Sequence, residues 1–492
     1  MSVKLSVDNL AKMPAGVATP NYGRAALTAG IVHIGVGNFH RAHQAVYLDD
    51  LFLAGRDRDW AIVGAGVRAA DEAMRDMLRR QDWLTTVVEQ EAGSTSVRVI
   101  GSMTDFIGPG DSAALLAALD RPEIRIVSLT ITEGGYYISP ATQSFDAAHP
   151  DIVADARDIA APRTAFGVIL AGLMRRRAAG VAPFTVMSCD NIPGNGHVTR
   201  NAVAGLADLV DPELARWVRA EIAFPNSMVD RITPATSDRE RSILRDKYGV
   251  EDNWPVFCES FRQWVMEDHF PAGRPALETV GVTFTQDVAP YELMKLRILN
   301  GGHAAIAYPA ALLDIHFVHE ALEDAQIRGF LEKLTRDEIM PTVPPPPGVS
   351  LEDYRKLIER RFANPKIGDT ISRLCLDGSN RQPKFVLPAA LDRFDARAGA
   401  QGLALVSALW CRYCAGTTES GKPIAPNDPN WERIQAAAKA ARGDPKAFLA
   451  MRDIFGRLAD DPAYVAAFSR ALSLLWSQGV RKTLDDYLAG SL

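Results

Sequence analysis

The chain has 492 residues, of which 47% are hydrophobic and 23% are charged, as in an ordinary globular protein with room for two or three domains. A formal net charge of −6 excludes a basic surface for nucleic acid and a polybasic membrane anchor. The sequence has no run of about 18 apolar residues, so it predicts no membrane-spanning helix.

The cysteines and the N-terminus indicate the compartment. Five cysteines, an odd number in a long chain, argue for a reducing environment and against a disulfide framework. The first residues, MSVKLSVDNLAKMPAG, lack an apolar core of signal-peptide length. We therefore expect a cytoplasmic protein.

The first half of the chain alternates apolar strands with helices. Strands are predicted at residues 31–37, 60–66, 84–90, 97–103, 124–132, 184–190 and 278–288. Helices are predicted at residues 39–55, 111–120 and 164–180. This order predicts an α/β domain built on a parallel sheet that is covered on both faces.

The pattern changes near residue 287. Beyond it, long helical patterns such as residues 430–443 and 463–479 dominate. The segment TVPPPPGVS (residues 342–350) interrupts them and predicts an extended connector. We predict an α/β domain over residues 1–287 and a mostly α-helical domain over residues 288–492.

A glycine turn, GVGNFH (residues 35–40), joins the first long strand to the first helix. A dinucleotide-binding fold seats a pyrophosphate here, because glycines let the backbone approach and N–H groups at a helix start favour an anion. His40 stands in the place of the third glycine of GxGxxG, so the match is partial, and a methyltransferase-like cofactor turn stays open. The predicted cofactor-binding residues of this turn are Gly35, Gly37, Asn38 and Phe39.

The second strand is followed by Gly66 and then by VRAADE. An acidic side chain after this strand would accept the ribose 2′-hydroxyl and repel a 2′-phosphate, and Asp71 is the candidate. Arg68 could instead bind a phosphate. We predict NAD as the cofactor in preference to NADP.

Two pairs of potential metal ligands stand out. His40 and His43 lie three residues apart at a helix start, and Cys411 and Cys414 form a CxxC pair. Neither pair has further ligands nearby, and metal sites need three or four. Both pairs are interpreted as structural, and no metal site is predicted.

Residues 291–308, YELMKLRILNGGHAAIAY, form an apolar run. Four polar residues interrupt it: Glu292, Lys295, Asn300 and His303. On an α-helix, at about 100° per residue, the four fall within an arc of about 140°. Gly301 and Gly302 each cost about 1 kcal/mol relative to alanine inside a helix, which indicates close packing at that point.

This polar stripe has two interpretations. Burial lowers the pKa of a lysine, so Lys295 could take the hydroxyl proton of an alcohol while hydride leaves for a nicotinamide. Asn300 and His303 could donate hydrogen bonds to the developing alkoxide. Alternatively, Lys295 and Glu292 form a buried structural pair. Spacing alone leaves both open.

Several motifs together resemble one family. They are HIGVGNFHRAH, SLTITEGGYY, TVMSCDNIPGNG, FPNSMVDRITP, YELMKLRILNGGH and LCLDGSNRQPKF, spread over essentially the whole chain. In this order they resemble the long-chain polyol dehydrogenases of the mannitol dehydrogenase family. The resemblance implies NAD-dependent, metal-independent interconversion of a polyol and a ketose, such as D-mannitol and D-fructose. It also implies a Rossmann-type N-terminal domain, a helical C-terminal domain and a monomer.

The resemblance assigns roles residue by residue. Catalytic roles fall on Lys295 as general base, Asn191 and Asn300 as the carbonyl-polarising pair, and Glu292 as the gate of a water path. Substrate contacts fall on His303, Asp230, Arg373 and Arg381, and a cofactor contact on Glu133. Arg381 stands where the family has a lysine, and the two side chains are not interchangeable.

Other functions fit parts of the same pattern. A hexuronate oxidoreductase of this family, acting on mannonate and fructuronate, would want a cationic fork, which Arg373, Arg381 and Lys384 could supply. D-Arabinitol and D-sorbitol are further candidate substrates. A nucleotide-sensing binding protein with a purely structural polar stripe would bind NADH without turnover.

Overall fold

The computed structural model describes residues 2–139 and 144–492. The chain divides into two compact units, Met1–Ala289 and Pro290–Leu492. The first holds the β-structure and the second is built from helices. No helix in the described ranges is long and apolar enough to cross a membrane.

The strands of the first unit are short. They are β1 (Val3–Lys4), β2 (Val17–Ala18), β3 (Ala29–Ile34), β4 (Ala61–Ala65), β5 (Thr85–Gln90), β6 (Thr95–Ile100), β7 (Met103–Ile107), β8 (Ile126–Leu129), β9 (Thr185–Ser188), β10 (Ser227–Asp230), β11 (Val250–Glu251), β12 (Val256–Glu259), β13 (Gln263–Glu267) and β14 (Thr283–Thr285). The helices between them are α1 (Asn38–Ala42), α2 (Gln44–Leu53), α3 (Asp71–Arg79), α4 (Ser112–Leu119), α5 (Pro150–Arg157), α6 (Ala165–Ala178), α7 (Asn195–Val210), α8 (Pro212–Glu221) and α9 (Asp238–Tyr248).

A five-stranded parallel sheet in the order β7-β4-β3-β8-β9 forms the centre of the first unit. Successive residues of β3 enter different cores: Val32 packs with α6 and α7, whereas Ile31 packs with α2. Both faces are therefore covered, which confirms the predicted parallel sheet. The loops after the five strands leave at the same edge, where such sheets bind ligands.

Two predicted strands belong elsewhere. Residues 84–90 form β5 as expected, but the strand predicted at 97–103 ends at Ile100. Gly101 interrupts it by donating its N–H to Asp49 Oδ1 at 2.9 Å, and β7 then begins at Met103. Strands β5 and β6 lie in a separate mixed sheet, in the order β12-β5-β6-β2.

Two further element predictions were too long. The helix predicted at 39–55 is broken at His43 (φ −122°, ψ −90°), where Nε2 of the ring bonds the Gln263 carbonyl oxygen at 2.9 Å. The strand predicted at 278–288 is extended only at Thr283–Thr285, because a 3₁₀ turn ending at Gly281 (φ +99°) precedes it. Both breaks depend on contacts or backbone angles that periodicity does not reveal.

The second unit is built mainly from helices. Its helices are α10 (Ala289–Met294), which begins at the boundary, α11 (Gly301–Leu312), α12 (Val318–Glu323), α13 (Ala325–Leu334), α14 (Leu351–Phe362), α15 (Ile371–Leu374), α16 (Gly378–Phe385), α17 (Leu387–Asp395), α18 (Gln401–Cys414), α19 (Trp431–Ala440), α20 (Lys446–Leu449), α21 (Arg452–Phe455) and α22 (Pro462–Leu488). The proline-rich connector at 342–350 is not α-helical, as predicted, and only Thr342 belongs to a 3₁₀ turn, Met340–Thr342. Helix α11 contributes a continuous buried run to the core, for example Ala305, Ile306 and Tyr308.

The CxxC pair lies inside α18. Cys411 and Cys414 are both buried and unoxidised, and burial raises the pKa of each thiol well above its ordinary value. Within residues 2–139 and 144–492 no cluster of three or more His, Cys, Asp or Glu side chains could hold a metal ion. The thiols behave as small apolar core residues.

Candidate active site

The glycine turn after β3 uses its two glycines differently. Gly35 has φ +95°, and a Cβ there would lie 2.2 Å from the Thr130 carbonyl oxygen, so the protein itself requires glycine. Gly37 has φ −128°, and a Cβ there would approach only the Gly35 carbonyl oxygen, at 3.9 Å. Open space next to the Gly37 backbone fits a ligand that must come close, as a pyrophosphate does.

The Asn38 side chain is fully used within the protein. Its Oδ1 accepts from Arg41 at 2.8 Å and from Trp254 Nε1 at 3.0 Å. Its Nδ2 donates to the Pro234 carbonyl and the Thr236 hydroxyl. An amide has two donors and one two-lone-pair acceptor, so this set is complete. Any cofactor contact by Asn38 therefore falls to its backbone.

A cavity of about 300 Å³ opens at the same edge of the sheet. It is lined by Gly66 and Val67 after β4, by Gly108 after β7, by Asp111 at the start of α4 and by Arg163. The loops after neighbouring strands of a parallel sheet are where such folds hold a nucleotide. The cavity therefore lies where this class of fold binds a nucleotide.

Asp71 folds back over the loop next to this cavity. Its Oδ2 accepts from the backbone N–H groups of Val67 and Arg68, at 3.1 and 2.9 Å. Its Oδ1 lies 3.4 Å from the Arg68 guanidinium. Asp71 therefore stabilises the loop, in addition to the ribose contact predicted for it. It also pairs with Arg68, the residue that could have bound a phosphate.

Three buried histidines, His33, His40 and His43, lie in the glycine turn or close to it in the sequence. The rings of His33 and His40 stack with centroids 3.5 Å apart, and His33 bonds Ser128 Oγ and Thr130 Oγ1 at 2.8 and 2.9 Å. Burial lowers the pKa of His33 and of His43 to about 3, and that of His40 well below its ordinary value. His43 bonds the Gln263 carbonyl oxygen through Nε2, whereas the His40 ring is held by its stack on His33.

These histidines predict acid sensitivity. Unfolded, each would titrate near pH 6.5, so below that pH the unfolded state binds more protons than the native state and the unfolding free energy falls. Each proton bound only by the unfolded state lowers the unfolding free energy by up to about 1.4 kcal/mol per pH unit. Burial raises the pKa of Asp49 to about 6, so native Asp49 binds a proton in the same pH range and compensates for one histidine. We expect the melting temperature to fall from pH 7 towards about pH 5.5 in calorimetry. The fall should be shallower in His43→Gln, and an equal slope in that variant would contradict the assignment.

The ends of β8 and β9 carry two predicted site residues. Glu133 is exposed at the start of a 3₁₀ turn, Glu133–Tyr136, and Asn191 is exposed shortly after β9. Thr132, between β8 and Glu133, has φ +63° and ψ 167°, a conformation that costs a non-glycine residue about 1–3 kcal/mol. The loop is therefore held in place by its surroundings.

Asp230 ends β10 and is buried, with 5% of its surface exposed. The next residue, Arg231, donates to the Glu259 and Ala42 carbonyls and to the Glu89 carboxylate. This anchored arginine fixes the backbone that presents Asp230.

The segment with the polar stripe is helical but not uniformly α-helical. A π-helix, Lys295–Asn300, lies between α10 and α11. The angular positions derived from 100° per residue are therefore wrong across this turn. In a π-helix residues five apart are hydrogen-bonded one turn from each other, so Lys295 and Asn300 come onto one side instead of lying about 140° apart. Such π-turns are rare and frequent at functional sites.

Three buried polar atoms of this segment have no hydrogen-bond partner among the residues that the structure describes: Asn300 Oδ1, His303 Nε2 and Arg297 Nε. The rest of the Arg297 guanidinium binds the Thr342 carbonyl and Asp392, so the two atoms of the polar stripe are the ones left to explain. Lys295 is also buried, with 7% of its surface exposed. A native protein leaves few buried polar atoms unsatisfied, and each requires an explanation. Ligand hydroxyl groups would satisfy both atoms.

His303 is held as a neutral ring. It stacks on Phe362 with centroids 4.1 Å apart. Burial lowers the pKa of His303 well below its ordinary value, and the charges of Arg373, Arg381 and Arg361 lower it further. A neutral imidazole can donate from one nitrogen and accept at the other, which suits a sugar hydroxyl.

The paired glycines permit close packing, as predicted. A Cβ on Gly301 would lie 3.1 Å from the Phe385 carbonyl oxygen, and one on Gly302 would lie 3.3 Å from Leu331 Cδ1. These contacts seat the helix that carries Asn300 and His303 deep in the core. Phe385, Leu331 and Phe362 form these contacts, and no pattern in the sequence marks them.

The two predicted substrate arginines are both engaged. Arg373 binds Asp369 through Nε and Nη2. Arg381 donates to the Leu374 carbonyl at 2.8 Å, at the end of α15. Both guanidinium groups thus have partners in their own unit, and Arg381 also secures α15.

Comparison with known proteins places the chain. A family model described as the mannitol dehydrogenase Rossmann domain matches residues 29–279, and one described as the mannitol dehydrogenase C-terminal domain matches residues 287–476. The chain belongs to the mannitol dehydrogenase family. This confirms the family suggested by the sequence motifs.

Members of the mannitol dehydrogenase family resemble the chain over its whole length. Mannitol 2-dehydrogenase of Cereibacter sphaeroides is 59% identical over 97% of this chain and 100% of the relative. A structure of Pseudomonas fluorescens mannitol 2-dehydrogenase, in ternary complex with NAD and D-mannitol, is 44% identical with a TM-score of 0.89 and covers 99% of this chain and 100% of that one. A substrate-free D-sorbitol dehydrogenase is 34% identical with a TM-score of 0.90, covering 98% and 100%.

Proposed function

We propose that the protein oxidises a polyol to a ketose with NAD, converting D-mannitol to D-fructose and back. Relatives at 59% and 42% identity are mannitol 2-dehydrogenases, and the 44% identical structure holds NAD and D-mannitol. The observation that carries the proposal is the polar stripe. A buried lysine and two buried, unsatisfied polar atoms lie on one helical segment. A polyol offers the hydroxyl groups that these atoms lack.

Each polar residue of the stripe has a separate role in the proposed reaction. The amine of Lys295 accepts the hydroxyl proton, while hydride leaves the carbinol carbon. Bound NAD supplies the nicotinamide that takes this hydride. Amide donors on Asn300 and Asn191 stabilise the alkoxide as it becomes a carbonyl. Glu292 then passes the proton from the lysine towards solvent, and reduction of the ketose runs the same steps in reverse.

We propose binding roles for the other predicted site residues. The backbone at Gly35 and Gly37 would approach the pyrophosphate, with Phe39, Glu133 and Asp71 as further cofactor contacts. His303 would orient the substrate through its ring nitrogens, and Asp230, Arg373 and Arg381 would contact the polyol chain. We assign residues 1–287 to cofactor binding and residues 288–492 to the substrate and the base.

A small polyol or ketose is the proposed partner, and the protein is proposed to act as a monomer in the cytoplasm. A reducing compartment agrees with five buried, unoxidised cysteines. Sedimentation at micromolar protein concentration would test the monomer.

The substrate is tested by following NADH. Purified protein is given NAD with D-mannitol, D-sorbitol, D-arabinitol or D-mannonate, and NADH with the corresponding ketoses. We expect the largest kcat/KM with D-mannitol and D-fructose. NADH binding without turnover on any of these compounds would contradict an enzymatic role and favour a nucleotide-binding protein.

D-Sorbitol is the second candidate, because the D-sorbitol dehydrogenase structure is as similar in fold. The hexuronate alternative is less favoured. A carboxylate substrate needs a cationic fork, yet Arg373 is neutralised by Asp369 and Arg381 donates to a backbone carbonyl. Turnover of D-mannonate above that of D-mannitol would reverse this order.

Asp71→Ala should loosen the discrimination against NADP. Removing the carboxylate removes repulsion of a 2′-phosphate and frees two backbone N–H groups and Arg68 to bind it. We expect the ratio of kcat/KM for NAD to that for NADP to fall about 10-fold or more, since each factor of ten needs only about 1.4 kcal/mol. Asp71→Asn tests charge alone, and the exposed neighbour Glu72→Ala is the control. An unchanged ratio in Asp71→Ala would mean that another residue reads the ribose.

A further inference from the structure

Asp190 joins the two loops that carry Glu133 and Asn191. It follows β9 and directly precedes Asn191, whereas Glu133 lies in the loop after β8. Strands β8 and β9 are parallel neighbours, so both loops leave the same edge of the sheet. A side chain that bridges them can set the position of both.

The Asp190 carboxylate accepts three hydrogen bonds from the β8 loop. Oδ1 accepts from the Thr132 N–H at 2.8 Å. Oδ2 accepts from the Ile131 N–H at 3.0 Å and from the Tyr136 hydroxyl at 2.7 Å. Asp190 is buried, and Tyr136 is fully buried with its ring edge-on to Phe166. The bonds from Ile131 and Tyr136 are therefore buried, whereas Thr132 lies at the exposed end of the bridge.

The peptide of Asp190 is fixed as well. Its N–H donates to Ser188 Oγ at 3.3 Å, and that hydroxyl lies 2.6 Å from the Tyr136 hydroxyl. Because Tyr136 donates to the carboxylate, Ser188 donates to Tyr136, which closes a ring of hydrogen bonds. The Asp190 carbonyl accepts from Asn195 Nδ2 at 3.0 Å. The backbone leading into Asn191 is therefore anchored on both sides of the Asp190 peptide.

The β8 loop needs such an anchor. Thr132 has φ +63°, an unfavourable angle for a β-branched residue, and it persists only where the surroundings hold it. The bond from the Thr132 N–H to Asp190 is directly at this residue. If the anchor is lost, the loop can relax and the two loops can move apart.

We propose that Asp190 is a positioning residue, whose bridge to the β8 loop holds Asn191 where its amide can reach the oxygen of the reacting carbon. The proposal rests on the proposed function. Asp190→Asn keeps the shape but turns an amide N–H towards groups that are themselves donors. We expect kcat for D-mannitol to fall about 10- to 100-fold, as small misplacements of reacting groups do.

Non-additive losses of kcat in a double variant would distinguish a positioning role from a general structural role. If Asp190 acts through Asn191, the double variant Asp190→Asn/Asn191→Ala should be no more than about twofold slower than Asn191→Ala. A merely structural loss would multiply the two effects. Tyr136→Phe, which removes one of the three donors, should give a smaller loss than Asp190→Asn.

The second unit offers a matched control. Glu338 is also buried and accepts from two backbone N–H groups, Gly402 and Leu403, and from the hydroxyl of Tyr487. Glu338→Gln and Tyr487→Phe therefore remove equivalent bonds away from the predicted site residues. We expect them to lower the melting temperature to a similar extent and to leave kcat within about twofold.

Hydrogen exchange separates the bridge from the chemistry. The amides of Ile131 and Thr132 should exchange faster in Asp190→Asn than in wild type, whether or not the protein turns over. Unchanged exchange, multiplicative losses with Asn191→Ala, or an equal loss of kcat in Glu338→Gln would each overturn the proposal. A wild-type protein that oxidises no polyol would instead overturn the proposed function, and the exchange result would still decide whether Asp190 holds the loop.

Discussion

Lys295→Ala should lower kcat for D-mannitol oxidation by about 10²- to 10⁴-fold, the range that a positioned general base contributes. The lysine is buried and sits in the π-turn beside Asn300, and no other lysine interrupts the apolar run. Binding of NADH should change little, because the predicted cofactor contacts lie in residues 1–289. Steady-state kinetics and a fluorescence titration with NADH measure the two quantities.

Lys333→Ala is the control for this variant. Lys333 lies in the same unit and pairs with Asp337 at 2.7 Å on α13 and the π-turn that follows it. Its removal should cost less than about 1 kcal/mol of stability and no activity, as for an exposed pair. A Lys295→Ala protein that oxidises D-mannitol at near wild-type rates would show that another group takes the proton.

Asn300→Ala should be the second most damaging change. The amide is one of two proposed donors to the alkoxide, and removing one such donor typically costs about 10²- to 10³-fold in kcat. The loss in kcat/KM should be equal in fructose reduction, because the overall equilibrium fixes the ratio of kcat/KM in the two directions. Rates in both directions for wild type and variant give the comparison.

Asn427→Ala controls for the loss of an amide. Asn427 donates to the Tyr413 hydroxyl at 2.6 Å and belongs to the same helical unit. Removing the Asn427 amide should lower the melting temperature but leave both kcat and KM unchanged. If Asn300→Ala raises KM with an unchanged kcat, Asn300 binds substrate uniformly and does not stabilise the alkoxide.

The parallel sheet was predictable because its signal is local. Strands β3, β4, β8 and β9 are apolar runs separated by amphipathic or apolar helices, and burial on both faces removes the alternation that would mark a one-sided sheet. The edge strand β7 was missed because it follows β6 after only two residues, and the two pair with different sheets. That assignment depends on long-range pairing.

The polar stripe was predictable in content but not in geometry. Four polar residues in an apolar run mark the segment, whatever the type of helix. Nothing in the sequence distinguishes the π-turn from an α-turn, so the α-helical spacing of 100° per residue separates Asn300 too far from Lys295. The π-turn also explains how residues five apart can act on one group.

The hydrogen-bond partners of individual side chains were the least predictable feature. Asn38 follows the glycine turn and fits a cofactor contact, yet four hydrogen bonds within the protein occupy its amide. Asp190 precedes a predicted site residue and was not singled out, although it bridges two loops. Such roles depend on partners that are distant in the sequence.

The pH dependence of kcat/KM for D-mannitol, measured from about pH 6.5 to 10 in wild type and Lys295→Ala, tests the base most directly. If the lysine takes the proton, the wild-type value falls with unit slope on acidification through one apparent pKa, and the residual activity of the variant lacks that limb. The same limb in both proteins would contradict the assignment of Lys295 as the base.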